Sequence, residues 1–132
     1  MGTFQTMKTP DKPTAVALDG ADVRDLLRLK GGSFALFELS PGEISNPTVL
    51  RTVDEIWYIL GGRGEMWRKL WDAEDIVVLE KGTCLTIPVG THFQWRSVGT
   101  EPLEVIGVTM PPWPGKDEAY LVEGVWKPTV NS

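Results

Sequence analysis

Turn-forming residues interrupt this sequence at short intervals from one end to the other, and they constrain the fold more than any other feature. The 14 glycines and 10 prolines make up nearly one residue in five. Pairs such as Asp19-Gly20, Pro41-Gly42 and Lys81-Gly82 supply the backbone angles that tight turns require. Between such pairs lie short apolar runs, for example Phe34 to Leu39 and Leu103 to Met110. Runs at a spacing of roughly 8–12 residues predict an all-β sandwich or barrel, and they argue against a helical bundle.

One segment permits a helix as an alternative. Asp19 to Leu29 has Asp22 as a possible N-cap, followed by apolar residues at Leu26, Leu27 and Leu29. A short apolar run of this kind also fits a strand. We favour the strand because turn residues bound this segment at the same short intervals as the predicted strands in the rest of the chain.

The length and composition predict a single domain. A chain of 132 residues with 42% hydrophobic residues can bury a full core without a structural metal or a disulfide. We divide it into an N-terminal tail or edge strand over residues 1–13, a barrel over residues 14–110 and a Pro-rich C-terminal segment over residues 111–132. Prolines cannot occupy central strands, so the last segment should wrap over the barrel.

Charge and cysteine content restrict the partners and the compartment. The formal net charge is −5, and no run of basic residues is present to neutralise phosphates, so we expect no nucleic-acid partner. No stretch approaches the roughly 20 apolar residues of a membrane span, so we expect no membrane partner. Cys84 is the only cysteine and cannot form an internal disulfide, and the N-terminus lacks the apolar run of a secretory signal. We therefore expect a cytoplasmic protein, with Cys84 as a small core residue.

Two stretches carry a family resemblance. In the first, Gly42 is followed by Thr48, Leu50, Glu55 and Gly62, and in the second, Gly82 is followed by Pro88, Gly90, Phe93 and Ser97. Their spacing resembles the two motifs of the cupin superfamily, and the resemblance extends over about residues 33 to 110. It implies a cupin-type jelly-roll β-barrel that forms a single domain. It also implies a homodimer, since cupins commonly dimerise through strands near the N-terminus.

The sequence lacks the histidines of the family's two motifs. Metal-binding cupins hold a divalent cation with three histidines and a glutamate, but this sequence has Thr48, Leu50 and Phe93 at the histidine positions and keeps only Glu55. We expect no metal and no cofactor. His92 precedes Phe93 and should point to the opposite face of its strand, although a bulge would re-aim it. We favour the interpretation that His92 is a loop residue that forms a hydrogen bond near Thr91.

Glu55 and a group of aromatic residues are the candidate site. Because side chains alternate along a strand, Glu55 and Trp57 should share the barrel interior, and burial there would raise the pKa of the carboxyl. Such a group suits a general acid or base, but it is also consistent with a structural residue held by an arginine or a backbone donor. The predicted ligand-binding residues are Thr48, Leu50, Trp57, Phe93, Trp95 and Phe37, and Ser97, Gln94 and Arg51 are further polar candidates. The same aromatic rings would also suit a plain core.

Three functions remain open from the sequence. The first is the binding of a small hydrophobic or aromatic molecule in a metal-free barrel. The second is a metal-independent lyase, isomerase or epimerase that uses Glu55 as general acid or base. The third is a purely structural dimer. The strand Phe34 to Leu39 has apolar residues on both faces, which favours a homodimer because one core covers only one face.

Overall fold

The structure is a computed structural model that describes residues 3–130. Its strands in chain order are β1 (Ala15–Val16), β2 (Asp22–Leu29), β3 (Gly32–Leu39), β4 (Thr48–Leu50), β5 (Asp54–Gly61), β6 (Arg63–Leu70), β7 (Ala73–Glu80), β8 (Cys84–Ile87), β9 (His92–Ser97), β10 (Leu103–Met110) and β11 (Ala119–Leu121). Apart from a short 3-10 helix, Lys116–Glu118, every element of the described residues is a strand. The all-β prediction is confirmed, and the segment from Asp22 to Leu29 is a strand.

The strands form two antiparallel sheets. The larger has the order β1-β2-β3-β10-β5-β8 and the smaller the order β11-β4-β9-β6-β7. Most consecutive strands lie in different sheets, as in a jelly roll. The buried residues of the two sheets face each other, and the largest are Trp57 of β5 and Trp95 of β9.

Alternation along each strand decides which side chains enter this core. In β5, Glu55, Trp57 and Ile59 are buried, whereas the residues between them are exposed. The same alternation corrects the prediction for Cys84. Leu85 and Ile87 of β8 point inward, so Cys84 lies on the outer face of the sheet and is exposed.

The C-terminal segment crosses the barrel and is held at several places, two of them through buried polar side chains. Glu118 accepts hydrogen bonds from the backbone N–H groups of Thr52 and Val53, which fixes the turn between β4 and β5. Gln94 of β9 is completely buried, and its Oε1 accepts the N–H groups of Val125 and Trp126 at 3.0 Å each. The segment therefore closes one side of the barrel beside the interior described next.

No helix within residues 3–130 is both long enough and apolar enough to cross a membrane.

Candidate functional site

The barrel contains a cavity of about 750 Å³. Residues of both sheets line it, and so does the segment after β10. Two small residues stand beside Trp57 in the sheet: Trp57 pairs in register with Gly107 of β10, and Gly107 pairs with Ala35 of β3, which lines the cavity. A side chain at Gly107 would overlap the ring of Phe37, so glycine is required there for this ring to take its place in the wall.

Aromatic rings form one wall of the cavity. The Trp57 ring lies at the centre, with the centroid of Phe37 at 5.4 Å and that of Phe93 at 6.1 Å. All three residues line the cavity, together with Leu50 and Thr48. Rings at these distances form a rigid, largely apolar surface.

Glu55 is the buried acid of this wall and is only 4% exposed. Its Oε1 accepts a hydrogen bond from Trp57 Nε1 at 2.8 Å, and its Oε2 accepts one from Thr109 Oγ1 at 3.0 Å. Thr109 is the register partner of Glu55 on β10, so both side chains project from the same face of the sheet. Among the described residues, no Lys, Arg or His forms an ion pair with Glu55.

Burial controls the ionisation of Glu55. Loss of solvent raises the pKa of this carboxyl from 4.5 to about 7, although the hydrogen bonds from Trp57 and Thr109 favour the charged form and oppose the rise. The negative charges of Asp19 and Glu118 raise it further. Glu55 is thus an acid that changes its charge near neutral pH, and no described basic side chain is its counterion.

Asp19 is a second acid of the cavity. Its Oδ2 accepts a hydrogen bond from Trp95 Nε1 at 3.0 Å, and its Oδ1 accepts the backbone N–H of Ala21. Burial raises its pKa as well. The Trp95 ring packs edge-on against Trp57 at 4.8 Å, so two adjacent tryptophans hold the two carboxyl groups.

Charged side chains surround the outer part of the cavity. Asp25 and Arg28 of β2 and Lys116 and Asp117 of the 3-10 helix line it and are exposed. Arg28 donates to the carbonyl oxygen of Trp113, which also lines the cavity. The cavity is therefore apolar in its walls, acidic at Glu55 and Asp19, and of mixed charge at its opening.

The structure brings most of the predicted site residues together. Glu55, Thr48, Leu50, Trp57, Phe93 and Phe37 all line the cavity. Trp95 does not line it but packs behind Trp57, where it supports the wall. Four further candidates are absent from the lining: Gln94 binds the C-terminal segment, Ser97 is buried elsewhere, Arg51 lies over Tyr120, and His92 is outside the cavity.

Many lining residues were not identified from the sequence, among them Thr109, Asp19 and Trp113. Thr109 is on the same face of β10 as the buried Val105, so alternation could have found it. Asp19 was assigned only to a turn, and Trp113 only to the Pro-rich wrap. Nothing in the sequence marks either of them as facing the interior.

The donor set of the interior does not fit a transition metal. Thr48, Leu50 and Phe93 stand at the histidine positions of the motif and offer only one neutral hydroxyl beside Glu55. Within residues 3–130, no three His, Cys, Asp or Glu side chains are grouped so that they could hold a metal ion. A zinc-type site requires three or four nitrogen, sulfur or carboxylate ligands.

Comparisons with known proteins identify relatives of the whole barrel. The family model described as "Cupin domain" matches residues 35–109. The uncharacterized protein MJ1618 of Methanocaldococcus jannaschii is 33% identical over 113 residues, which cover 80% of this chain and 86% of that protein. Its description names no activity.

Solved structures show the same architecture at low identity. An uncharacterized conserved protein with a double-stranded beta-helix domain from Klebsiella pneumoniae has a TM-score of 0.64 and 16% identity, over 79% of this chain and 85% of that one. Oxalate decarboxylase from Bacillus subtilis has a TM-score of 0.69 and 16% identity, over 81% of this chain but only 29% of the enzyme. These similarities concern the fold alone.

Proposed function

The chain belongs to the cupin family, and from the cavity inside its barrel we propose that it binds a small hydrophobic or aromatic molecule. The observation that carries this proposal is the cavity of about 750 Å³ beside the Phe37, Trp57 and Phe93 rings. Small-molecule sites are typically concave and apolar with few polar groups, and this cavity has that character. A filled interior would have favoured a purely structural dimer.

We also propose that this interior works without a metal, because its residues lack the donors that a metal needs. We also propose that the protein is cytoplasmic and that it binds neither nucleic acids nor membranes.

Ala35→Phe is expected to weaken the binding of indole by about tenfold or more, because the new ring would occupy part of the cavity that Ala35 lines. Titration by NMR measures the affinity. Val78→Phe adds the same ring at an exposed position of β7 and should bind indole like the unmodified protein. Equal affinities in the two variants would place the indole outside the barrel and contradict the proposal.

A second function, metal-independent proton transfer by Glu55, is favoured by one observation. Glu55 lies on the cavity wall without a counterion, and burial brings its pKa to about 7. A carboxyl in this state can accept or donate a proton at neutral pH. It would serve a lyase, isomerase or epimerase that moves a proton on a carbon of the bound molecule.

The probe 5-nitrobenzisoxazole tests this capacity, since a base that removes its ring proton cleaves the N–O bond and yields a coloured phenolate. We expect a rate that rises with pH and levels off above about 7, because the ionised carboxylate is the base. Glu55→Gln should lower that rate by about 100-fold or more. Glu80→Gln, at an exposed position of β7, is the control. A rate that survives in Glu55→Gln would assign the proton transfer elsewhere.

The outer face of the larger sheet supports a homodimer. Val108 of β10 pairs in register with Phe34 of β3 and with Ile56 of β5, and Ile106 pairs with Tyr58 in the next row. We call these five residues the outer apolar face. They form a contiguous uncharged patch, and an uncharged patch of this kind is complementary to a second copy of itself about a two-fold axis.

Ile56→Lys is expected to convert the dimer to a monomer, because a charge within the outer apolar face would be buried without a partner in the dimer. Ile76→Lys is the matched control on the other sheet, since Ile76 is 53% exposed and Ile56 is 44% exposed. Light scattering at micromolar concentration gives the mass of each. A monomeric unmodified protein, or a dimer that persists in Ile56→Lys, would contradict this interface.

A further inference from the structure

The inner end of the cavity, at the buried Glu55, has the half-buried Asp19 as a second acid, and within residues 3–130 no basic side chain pairs with either of them. Glu55 uses one lone pair of each oxygen for Trp57 and Thr109, which leaves further acceptor positions on a side chain that is 4% exposed and lines the cavity. Asp19 lines the same cavity, and its charge acts on Glu55. An ionised carboxylate in such a place is costly unless a cation or further donors reach it.

The outer end of the cavity, in contrast, is balanced. The exposed charged residues that line it there are two acids, Asp25 and Asp117, and two bases, Arg28 and Lys116. Arg28 is already engaged with the carbonyl of Trp113. The missing positive charge is therefore at the buried end, where a ligand would have to supply it.

The aromatic wall is suited to the same charge. A cation within about 6 Å of a ring centroid is attracted to the face of the ring, most strongly to that of tryptophan. Trp57 lies between Phe37 and Phe93 and also donates its N–H to Glu55. An organic cation beside Glu55 would thus lie next to both an anion and aromatic rings.

We propose that the ligand of this cavity is an organic amine in its ammonium form, with the ammonium group against Glu55 and Asp19 and its apolar body along the Phe37, Trp57 and Phe93 rings. The inference rests on the proposed binding function and specifies its ligand class. A carboxylate ligand of the same size would meet two like charges at the buried end and would be rejected.

Three probes of similar size and different charge test the proposal: 2-phenylethylamine, 2-phenylethanol and 3-phenylpropionate. Calorimetric titration at about pH 8 should show the amine binding about tenfold or more tightly than the alcohol, since a charge-assisted hydrogen bond is worth at least this ratio. The carboxylate should bind most weakly.

The preference for the amine should also depend on pH. The ionisable or charged groups around Glu55 are Asp19, Asp25, Arg28, Lys116, Asp117 and Glu118. The preference should decrease as the pH falls from about 8 to about 5.5, because both Glu55 and Asp19 take up protons more readily than an exposed acid does. Binding of the alcohol should change little over the same range.

Two variants separate charge from shape. Glu55→Gln and Asp19→Asn each keep the size of the side chain, and each should reduce the preference for the amine by about tenfold while the alcohol binds as before. Glu80→Gln, on the outside of the other sheet, should keep the full preference. Circular dichroism confirms that each variant is folded, and if one of the two unfolds, the other still tests the proposal.

The three probes and indole distinguish failure of the ammonium proposal from failure of the proposed binding function. If the amine and the alcohol bind equally well, the ammonium proposal is overturned while binding in an apolar cavity stands. If the carboxylate binds most tightly, the proposal is likewise overturned. If none of the three probes binds and indole does not bind either, the proposed binding function fails together with it.

Discussion

Glu55→Gln should reduce the fall in the free energy of unfolding that the protein shows as the pH rises from about 4.5 through 7. The pKa of Glu55 is about 7 in the folded protein and 4.5 is its ordinary value, so the folded state holds the proton more tightly than the unfolded chain does. Glu55 then contributes stability that is fully present below pH 4.5 and is lost as the pH rises through 7. The difference corresponds to about 3 kcal/mol.

Glutamine is suited to this test because it satisfies the same partners without a charge. Its carbonyl oxygen can accept the N–H of Trp57, and its amide can donate to the hydroxyl of Thr109. We expect the variant to be as stable as the unmodified protein at pH 4.5 and more stable at pH 8. Urea denaturation at a series of pH values measures both. Asp19 leaves a slope of the same sign, because burial raises its pKa too.

The contrary result would have a clear meaning. If Glu55→Gln is less stable than the unmodified protein by about 3 kcal/mol or more at pH 8, the carboxylate is the partner of a buried cation. The acid–base and ammonium proposals would then both lose their basis.

Gly62→Ala should be far more destabilising than Gly42→Ala, by about 3 kcal/mol. The two glycines have nearly the same positive φ, +83° for Gly62 and +80° for Gly42, so the backbone strain of an alanine is about equal at both. Their surroundings differ. A Cβ at Gly62 would overlap the carbonyl oxygen of Pro102 and lie 2.7 Å from Leu103 Cα, whereas a Cβ at Gly42 meets nothing within 4 Å.

The comparison isolates the cost of the close approach. Gly42→Ala should lose only about 1 kcal/mol, the cost of the left-handed backbone alone. Backbone atoms cannot rotate away from a new methyl group, so the turn between β5 and β6 would have to move in Gly62→Ala. Urea midpoints of the two variants measure the loss of stability. Equal losses would show that the backbone at Pro102 moves away from the new methyl group without a cost in free energy.

Local pattern was enough to predict the elements and one face of the site. Alternation in the strand that contains Glu55, Trp57 and Ile59 correctly placed all three on the buried side, because successive side chains of a strand must point to opposite faces. The turn residues correctly predicted an all-β chain. The motif resemblance predicted the cupin fold, which is confirmed by the family match over residues 35–109.

Other predictions depended on information that a single strand does not carry. Alternation requires Cys84 and Leu85 to differ in burial, but it does not say which of them is inside, and the prediction of a buried Cys84 was wrong. The three motif glycines Gly42, Gly62 and Gly82 also look alike in the sequence. Only the packing of the Pro102 backbone against Gly62 separates that position from the other two.

The sequence by itself therefore determined the strands, the turns and the shared face of Glu55 and Trp57, since these follow from backbone geometry over a few residues, and the motif resemblance indicated that this face is the inner one. The tertiary structure alone decided that Thr109, 54 residues away, bonds to Glu55, and that Asp19 joins it through Trp95, which lies 76 residues along the chain from Asp19. It also decided that the Phe37 ring lies over Gly107 and that Ala35 faces the cavity. Partners and empty space depend on which strands become neighbours, and that is set by the pairing of the whole chain and not by any segment of it.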